Sequence, residues 1–179
     1  MIPTDRLIWL DLEMTGLDPD QQVILEIGSI VTDSELNIVA KGPMIAINHP
    51  EAILSTMESW SQEHHGKSGL TDRCRASQIN LHHAEQETLE FLKQHCAAKS
   101  SPLCGNSIGQ DRRFLYKYMP TLNDYFHYRN VDVSTIKEVV KRWYPASAQA
   151  PEKRKTHHVL DDIHESIDEL RHYRKTVFK

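Results

Sequence analysis

Two carboxylates stand two positions apart where an apolar run ends, in Leu7-Ile8-Trp9-Leu10-Asp11-Leu12-Glu13. Strand side chains alternate faces, so Asp11 and Glu13 point one way while Leu10 and Leu12 point into a helix layer. At about 7 Å along a strand two ionised carboxylates repel each other. A divalent cation removes that repulsion, and an all-oxygen donor set suits Mg²⁺ or Mn²⁺. Without a cation the pair is two solvated acids where a strand emerges. A third carboxylate, Asp111, follows Cys104-Gly105-Asn106-Ser107-Ile108-Gly109-Gln110, close to a predicted helix start that favours negative charge. A fourth segment, His157-His158-Val159-Leu160-Asp161-Asp162, opens the last predicted helix. Spacing alone leaves its pairing open. His157 and Asp161, four apart, share a face within regular helix, whereas His157 projects beside Asp162 if it precedes the helix. Four carboxylates can hold two divalent ions about 4 Å apart, an arrangement suited to in-line phosphoryl transfer. Histidine is the side chain best matched to take the proton of an attacking water near neutral pH.

The elements that must position these groups follow from the same pattern. Strands are predicted at Leu7–Glu13, Val23–Val31 and Leu36–Ile47, the last weakened by Pro43. The short turns between them, Asp18-Pro19-Asp20 and Asp33-Ser34-Glu35, make an antiparallel meander. Residues 51–65 hold a short helix and a loop. Ser77 is an N-cap candidate for a helix burying Leu81, Ala84, Thr88, Leu89, Phe91 and Leu92. A short strand at Pro102–Asn106 precedes a helix from Gln110 to Met119 that Pro120 stops. A strand at His127–Val133 precedes a helix from Thr135 to Trp143, with Ser134 as its cap. Residues 145–156, with Lys153-Arg154-Lys155, read as a mobile loop. The last helix spans Val159–Tyr173 with the stripe Leu160, Ile163, Ile167 and Leu170. The order gives an α/β fold with a mixed sheet covered by helices.

Composition narrows the function classes. The chain has 179 residues, within the size of one domain, and we expect one spanning 1–179. The net charge of −4 argues against a wide basic face gripping long duplex nucleic acid. The charge is uneven. Residues 1–60 carry ten acidic and two basic side chains, and residues 109–158 carry five acidic and ten basic ones. The first part can hold cations and the second can face an anion. Three cysteines, an odd count without CxxC spacing, argue against a disulfide scaffold or zinc knuckle, and Cys74, Cys96 and Cys104 are expected as small buried groups. The chain has no 18-residue apolar stretch and no basic leader before an apolar run, so no membrane partner is expected and the cytoplasm is the expected compartment.

The motifs Asp11-Leu12-Glu13-Met14-Thr15-Gly16-Leu17, Asp111 and His157-His158-Val159-Leu160-Asp161-Asp162 resemble the three exonuclease motifs of the DEDD superfamily, histidine subclass. Trp9–Leu17, Gly105–Leu115 and Tyr128–Thr135 are similar to its oligoribonuclease family, and the resemblance covers nearly the whole chain. It implies a ribonuclease-H-like fold with an antiparallel first three strands. It implies a 3′→5′ exoribonuclease turning short single-stranded RNA, dinucleotides above all, into 5′-mononucleotides. It implies two divalent cations, Mg²⁺ or Mn²⁺, held by Asp11, Glu13, Asp111 and Asp162, with His157 as general base. Leu17 would wedge against the terminal base and Trp60 would stack on or border it. Residues matching His65, Arg129 and Ser134 would bind the 5′ phosphate and cap the site, with Ser107 near the substrate phosphate. The chain would form a homodimer, with Tyr128 reaching the active site across the interface.

Overall fold

The computed structural model describes residues 3–151 and 158–178. Strand β1 (Leu7–Met14) pairs antiparallel with β2 (Ile24–Thr32), and β2 pairs antiparallel with β3 (Ile38–Ala46). Two three-residue strands, β4 (Leu103–Gly105) and β5 (Asn130–Asp132), then add in parallel on the other side of β1. The sheet order is β3-β2-β1-β4-β5. The mixed α/β architecture expected from the sequence, with its antiparallel first three strands, is therefore present. Strand β3 starts at Ile38 rather than Leu36. Asp33 Oδ1 accepts from Asn37 N at 2.8 Å, and Leu36 sits in the left-handed region (φ 69°), so the chain is still turning there. Pro43 is tolerated because β3 is an edge strand.

Helices cover both faces. Helices α1 (Glu51–Leu54), α2 (Ser59–Lys67) and α3 (Leu70–Ala76) follow β3, then α4 (Leu81–His95). Helices α5 (Ile108–Tyr118) and α6 (Pro120–Tyr125) join β4 to β5. Helices α7 (Val133–Trp143) and α8 (Val159–Thr176) follow, with a short 3₁₀ turn at Ala146–Ala148 between them. The alternation in β1 divides the core. Ile8, Leu10 and Leu12 pack with Ala84, Leu92, Phe114, Leu115 and Leu122 of α4, α5 and α6. Trp9 faces the other way, with Val133, Val140, Val159, Ile163 and Ile167 of α7 and α8. A smaller core of Leu25, Leu54, Met57, Leu70 and Cys74 seats α1 and α3. All three cysteines are buried, as expected.

Several helix boundaries differ from the sequence expectation, each for a local reason. Asn80, not Ser77, caps α4, because its side chain accepts from His83 N at 2.9 Å. Ser77 instead donates to Ala46 O at 2.6 Å and accepts from Ile79 N, fastening the exit of β3. Asp132, not Ser134, caps α7, accepting from Ser134 N at 2.9 Å. Helix α5 starts at Ile108, two residues early, because Ser107 turns the chain in the left-handed region (φ 52°). Pro120 ends α5 and also starts α6 at its first position, where a missing N–H costs nothing. In α8 the buried stripe is Val159, Ile163, Ile167 and Tyr173, with Leu160 and Leu170 half-buried. Lys153-Arg154-Lys155 lies outside the described residues.

Candidate active site

The end of β1 meets the start of α8. Asp11 and Glu13 leave β1 on the Trp9 face, and Asp162 lies in the first turn of α8, packed on that face. The close approach depends on Gly28, which pairs with Asp11 across the β1–β2 ladder. A Cβ on Gly28 would lie 2.3 Å from Val159 Cγ1, so a larger residue would push the start of α8 away. As it is, carboxylate oxygens of Asp11, Glu13 and Asp162 lie within 4.8 Å of one another. Asp161, left open by spacing alone, is exposed and is not in this group. The residue before α8, His158, accepts Asp162 N at 2.9 Å through its carbonyl, and His157 lies outside the described residues.

Asp111, on the first turn of α5, is buried one step away. Its Oδ1 accepts the Leu12 backbone N–H at 3.0 Å, between the two β1 carboxylates. The crowding is visible in the acidities. Burial, then the charges of Asp162, Glu26 and Asp111, pushes Glu13 up to about 8, opposed by Arg73. Burial likewise pushes Asp111 up to about 7, against the Leu12 N–H bond. Carboxylate oxygens gathered this closely are hard donors, and the set fits a divalent cation of the Mg²⁺ or Mn²⁺ type. Glu26 was not singled out from the sequence. It pairs with Glu13 across the ladder, is buried, and meets Arg73 Nη2 of α3 at 2.9 Å. Sequence spacing shows no such partner, because the register of β2 depends on the turn between the strands.

Beside Glu13 a pocket of ≈ 380 Å³ opens between the β1 exit and α2. Leu17, Trp60 and His65 all line it, together with Gly16 and Glu58. Leu17 and Trp60 are exposed at its mouth, where Trp60 stacks on His64 with centroids 3.9 Å apart. His65 is the buried wall. Its Nε2 bonds Met14 O at 2.9 Å and its Nδ1 is 3.9 Å from Glu13 Oε2. His65 thus lines the same pocket as Leu17 and Trp60.

On the opposite side of β1, the ends of β4 and β5 carry Ser107 and Ser134. Asp132 Oδ1 accepts both Ser107 N and Ser134 N at 2.9 Å, and this one carboxylate brings the two turns together. The hydroxyls then meet, Ser107 Oγ donating to Ser134 Oγ at 3.1 Å. Asp132 and Asn106 were not singled out as site residues, although Asp-Val-Ser before an apolar helix is a capping signal. Tyr128 and Arg129 point outward. Tyr128 is 72% exposed, with the Arg129 guanidinium 5.2 Å above its ring. Among the described residues neither side chain bonds the carboxylates or the serines.

Residues 8–170 match the exonuclease family of the RNase T type. The chain belongs to that family. It is 59% identical over 175 residues to an oligoribonuclease of Marinobacter nauticus, covering 98% of this chain and 97% of that protein. It is 58% identical over 174 residues to an oligoribonuclease of Pseudomonas aeruginosa, covering 97% of each. Among solved structures, it superposes on exonuclease I of Methylocaldum szegediense with a TM-score of 0.72 at 15% identity over 97% of this chain. For E. coli exonuclease I in complex with a dA16 oligonucleotide the TM-score is 0.75 at 13% identity over 97% of this chain. The chain spans 41% of each of those two structures, so the likeness concerns a shared ribonuclease-H-like fold. Membership of the exonuclease family makes the chain a nuclease, a hydrolase of phosphodiester bonds. Among the described residues no helix is long and apolar enough to cross a membrane.

Proposed function

We propose that the chain is a 3′→5′ exoribonuclease that converts short oligoribonucleotides, dinucleotides above all, to 5′-mononucleotides. The observation that carries this reading is the meeting of Asp11, Glu13 and Asp162 within 4.8 Å between two different features. On the β2 side lies the pocket with Leu17 and Trp60, within the roughly 300–1,000 Å³ range of small-ligand sites. On the β5 side lies the Ser107–Ser134 pair. A pocket for one nucleoside and a hydroxyl pair for a phosphate, flanking one acidic centre, suit a substrate of two nucleotides. The near-full-length oligoribonuclease relatives support the same substrate class.

In this reading Asp11, Glu13, Asp162 and Asp111 hold two divalent cations, Mg²⁺ or Mn²⁺. When bound, these supply charge stabilisation for in-line displacement at phosphorus. Leu17 and Trp60 take the 3′-terminal base between an aliphatic edge and an indole face, which excludes water and aligns the scissile bond. His65, fixed by Met14 O, keeps the pocket wall in register with Glu13. Ser134, with Arg129, binds the 5′ phosphate, and Ser107, which donates to Ser134, stands beside it. His157 accepts the proton of the attacking water. Tyr128, exposed on one protomer, acts in the site of the other within a homodimer.

The deciding experiment is hydrolysis of two-, five- and twenty-nucleotide RNA and DNA with Mg²⁺ or Mn²⁺, with product analysis. Fastest cleavage of the RNA dinucleotide to 5′-mononucleotides is expected. Preference for long DNA, or no hydrolysis with either ion, would overturn the reading. Trp60→Ala is expected to raise the dinucleotide KM about tenfold with a smaller change in kcat, since base stacking contributes about 1–3 kcal/mol. Steady-state kinetics check this. His157→Ala is expected to slow turnover about 10²–10⁴-fold at neutral pH while His158→Ala stays near wild type. The reverse pattern would transfer the proton-accepting role to His158.

A further inference from the structure

Glu169 lies on α8 two turns beyond Asp162 and is only 5% exposed. Its Oε1 accepts Tyr173 OH at 3.1 Å, and Lys137 Nζ stands 3.5 Å from the same oxygen. Its Oε2 accepts Asn106 Nδ2 at 3.1 Å. A carboxylate only accepts, so Asn106 must turn its amino group, not its carbonyl, toward Glu169. That amino group has a second hydrogen, and Asn106 Nδ2 is 3.3 Å from Ser134 Oγ. Ser134 Oγ also accepts from Ser107 Oγ at 3.1 Å. Two accepted bonds fill the lone pairs of a hydroxyl. The Ser134 O–H is then a donor only, and among the described residues no acceptor takes it. A hydroxyl restricted to donating suits an anion and disfavours a group that must donate to it.

We propose that Glu169 and Asn106 are positioning residues that fix Ser134 as a one-way donor to the 5′ phosphate of the substrate. The proposal rests on reading Ser134 as the hydroxyl that binds the 5′ phosphate, with Ser107 donating to it. Glu169 sets the direction, Asn106 transmits it, and Ser134 delivers it. Because Glu169 and Asp162 share α8, one rigid element sets both the acidic centre and the polarity of the phosphate end.

The test uses diribonucleotides with a non-hydrolysable phosphonate linkage, with and without a 5′ phosphate, titrated calorimetrically in Mn²⁺. Wild type is expected to favour the phosphorylated form. Glu169→Gln, which can donate as well as accept, is expected to lower that preference about fivefold to tenfold through weaker binding of the phosphorylated ligand. Binding of the unphosphorylated ligand and of Mn²⁺ alone is expected to stay as in wild type. Asn106→Ala should show the same selective loss, and it decides the matter if Glu169→Gln does not fold. A strut that merely braces α8 would weaken both ligands alike or neither, and either result overturns the proposal. Ser134→Ala separates the two levels. If it abolishes the preference while Glu169→Gln and Asn106→Ala keep it, the relay fails alone. If Ser134→Ala folds and keeps the preference, the phosphate-site reading fails with it.

Discussion

Asp11→Ala is expected to give a folded protein whose hydrolysis is slower by at least about 10³-fold, equivalent to ~4 kcal/mol of transition-state stabilisation. Asp11 contributes to the sheet through its backbone, paired with Gly28, and that pairing does not need the carboxylate. Its side chain instead stands with Glu13 and Asp162, where three carboxylates within 4.8 Å repel one another in the absence of a cation. Truncation therefore removes one carboxylate from the crowded group and a ligand from the loaded protein. Circular dichroism and thermal unfolding without added metal should show that the fold is retained. Rates with saturating Mg²⁺ or Mn²⁺ should show the loss. A folded variant that turns over at near the wild-type rate would remove Asp11 from the centre of the mechanism.

Glu13→Gln is expected to change stability and activity in opposite directions. In the cation-free protein burial and neighbouring acids hold Glu13 at about 8, above its ordinary 4.5. Between those two values the folded state binds more protons than the unfolded state, so stability falls as pH rises. Below about 4.5 both states are protonated and the cost vanishes, and above about 8 it is fully present. Asp111, pushed up to about 7, adds a second contribution of the same sign. A glutamine keeps the shape and cannot ionise. Metal-free Glu13→Gln should therefore be more stable than wild type at pH 8, by about 2–4 kcal/mol, with little difference at pH 4.5. It should also lose turnover, because a neutral amide is a weaker ligand for a hard cation. Denaturant titrations across pH 4.5–8, with and without Mn²⁺, check both halves. In wild type Mn²⁺ should restore stability most at high pH, since binding displaces protons from these carboxylates. Equal pH dependence in the variant and wild type would mean that Glu13 is not the strained group.

The α/β class, the antiparallel meander and the facing of Asp11 and Glu13 were legible because each rests on short-range periodicity. Alternation along β1 needs only neighbouring residues to put Leu10 and Leu12 in one layer and the carboxylates in the other. The helix ends were less legible. Asp132 and Asn80 compete with nearby serines for the same cap, and the geometry of the preceding turn decides which oxygen reaches the N–H. Asp162 rather than Asp161 joining Asp11 could not be read from helical spacing. It depends on how α8 is rotated, and Val159 settles that by packing over Gly28.

What the sequence alone determined is the inventory of chemistry: acids at element ends, aromatic and aliphatic edges for a base, serines at two turns. The tertiary structure decided their grouping. Asp111 reaches Leu12 across 99 residues, Glu26 stands opposite Glu13, and Glu169 reaches Asn106 across 63. Such meetings follow from parallel crossovers, strand register and the seating of one helix. Those are properties of the packed core as a whole, and no local stretch of chain encodes them.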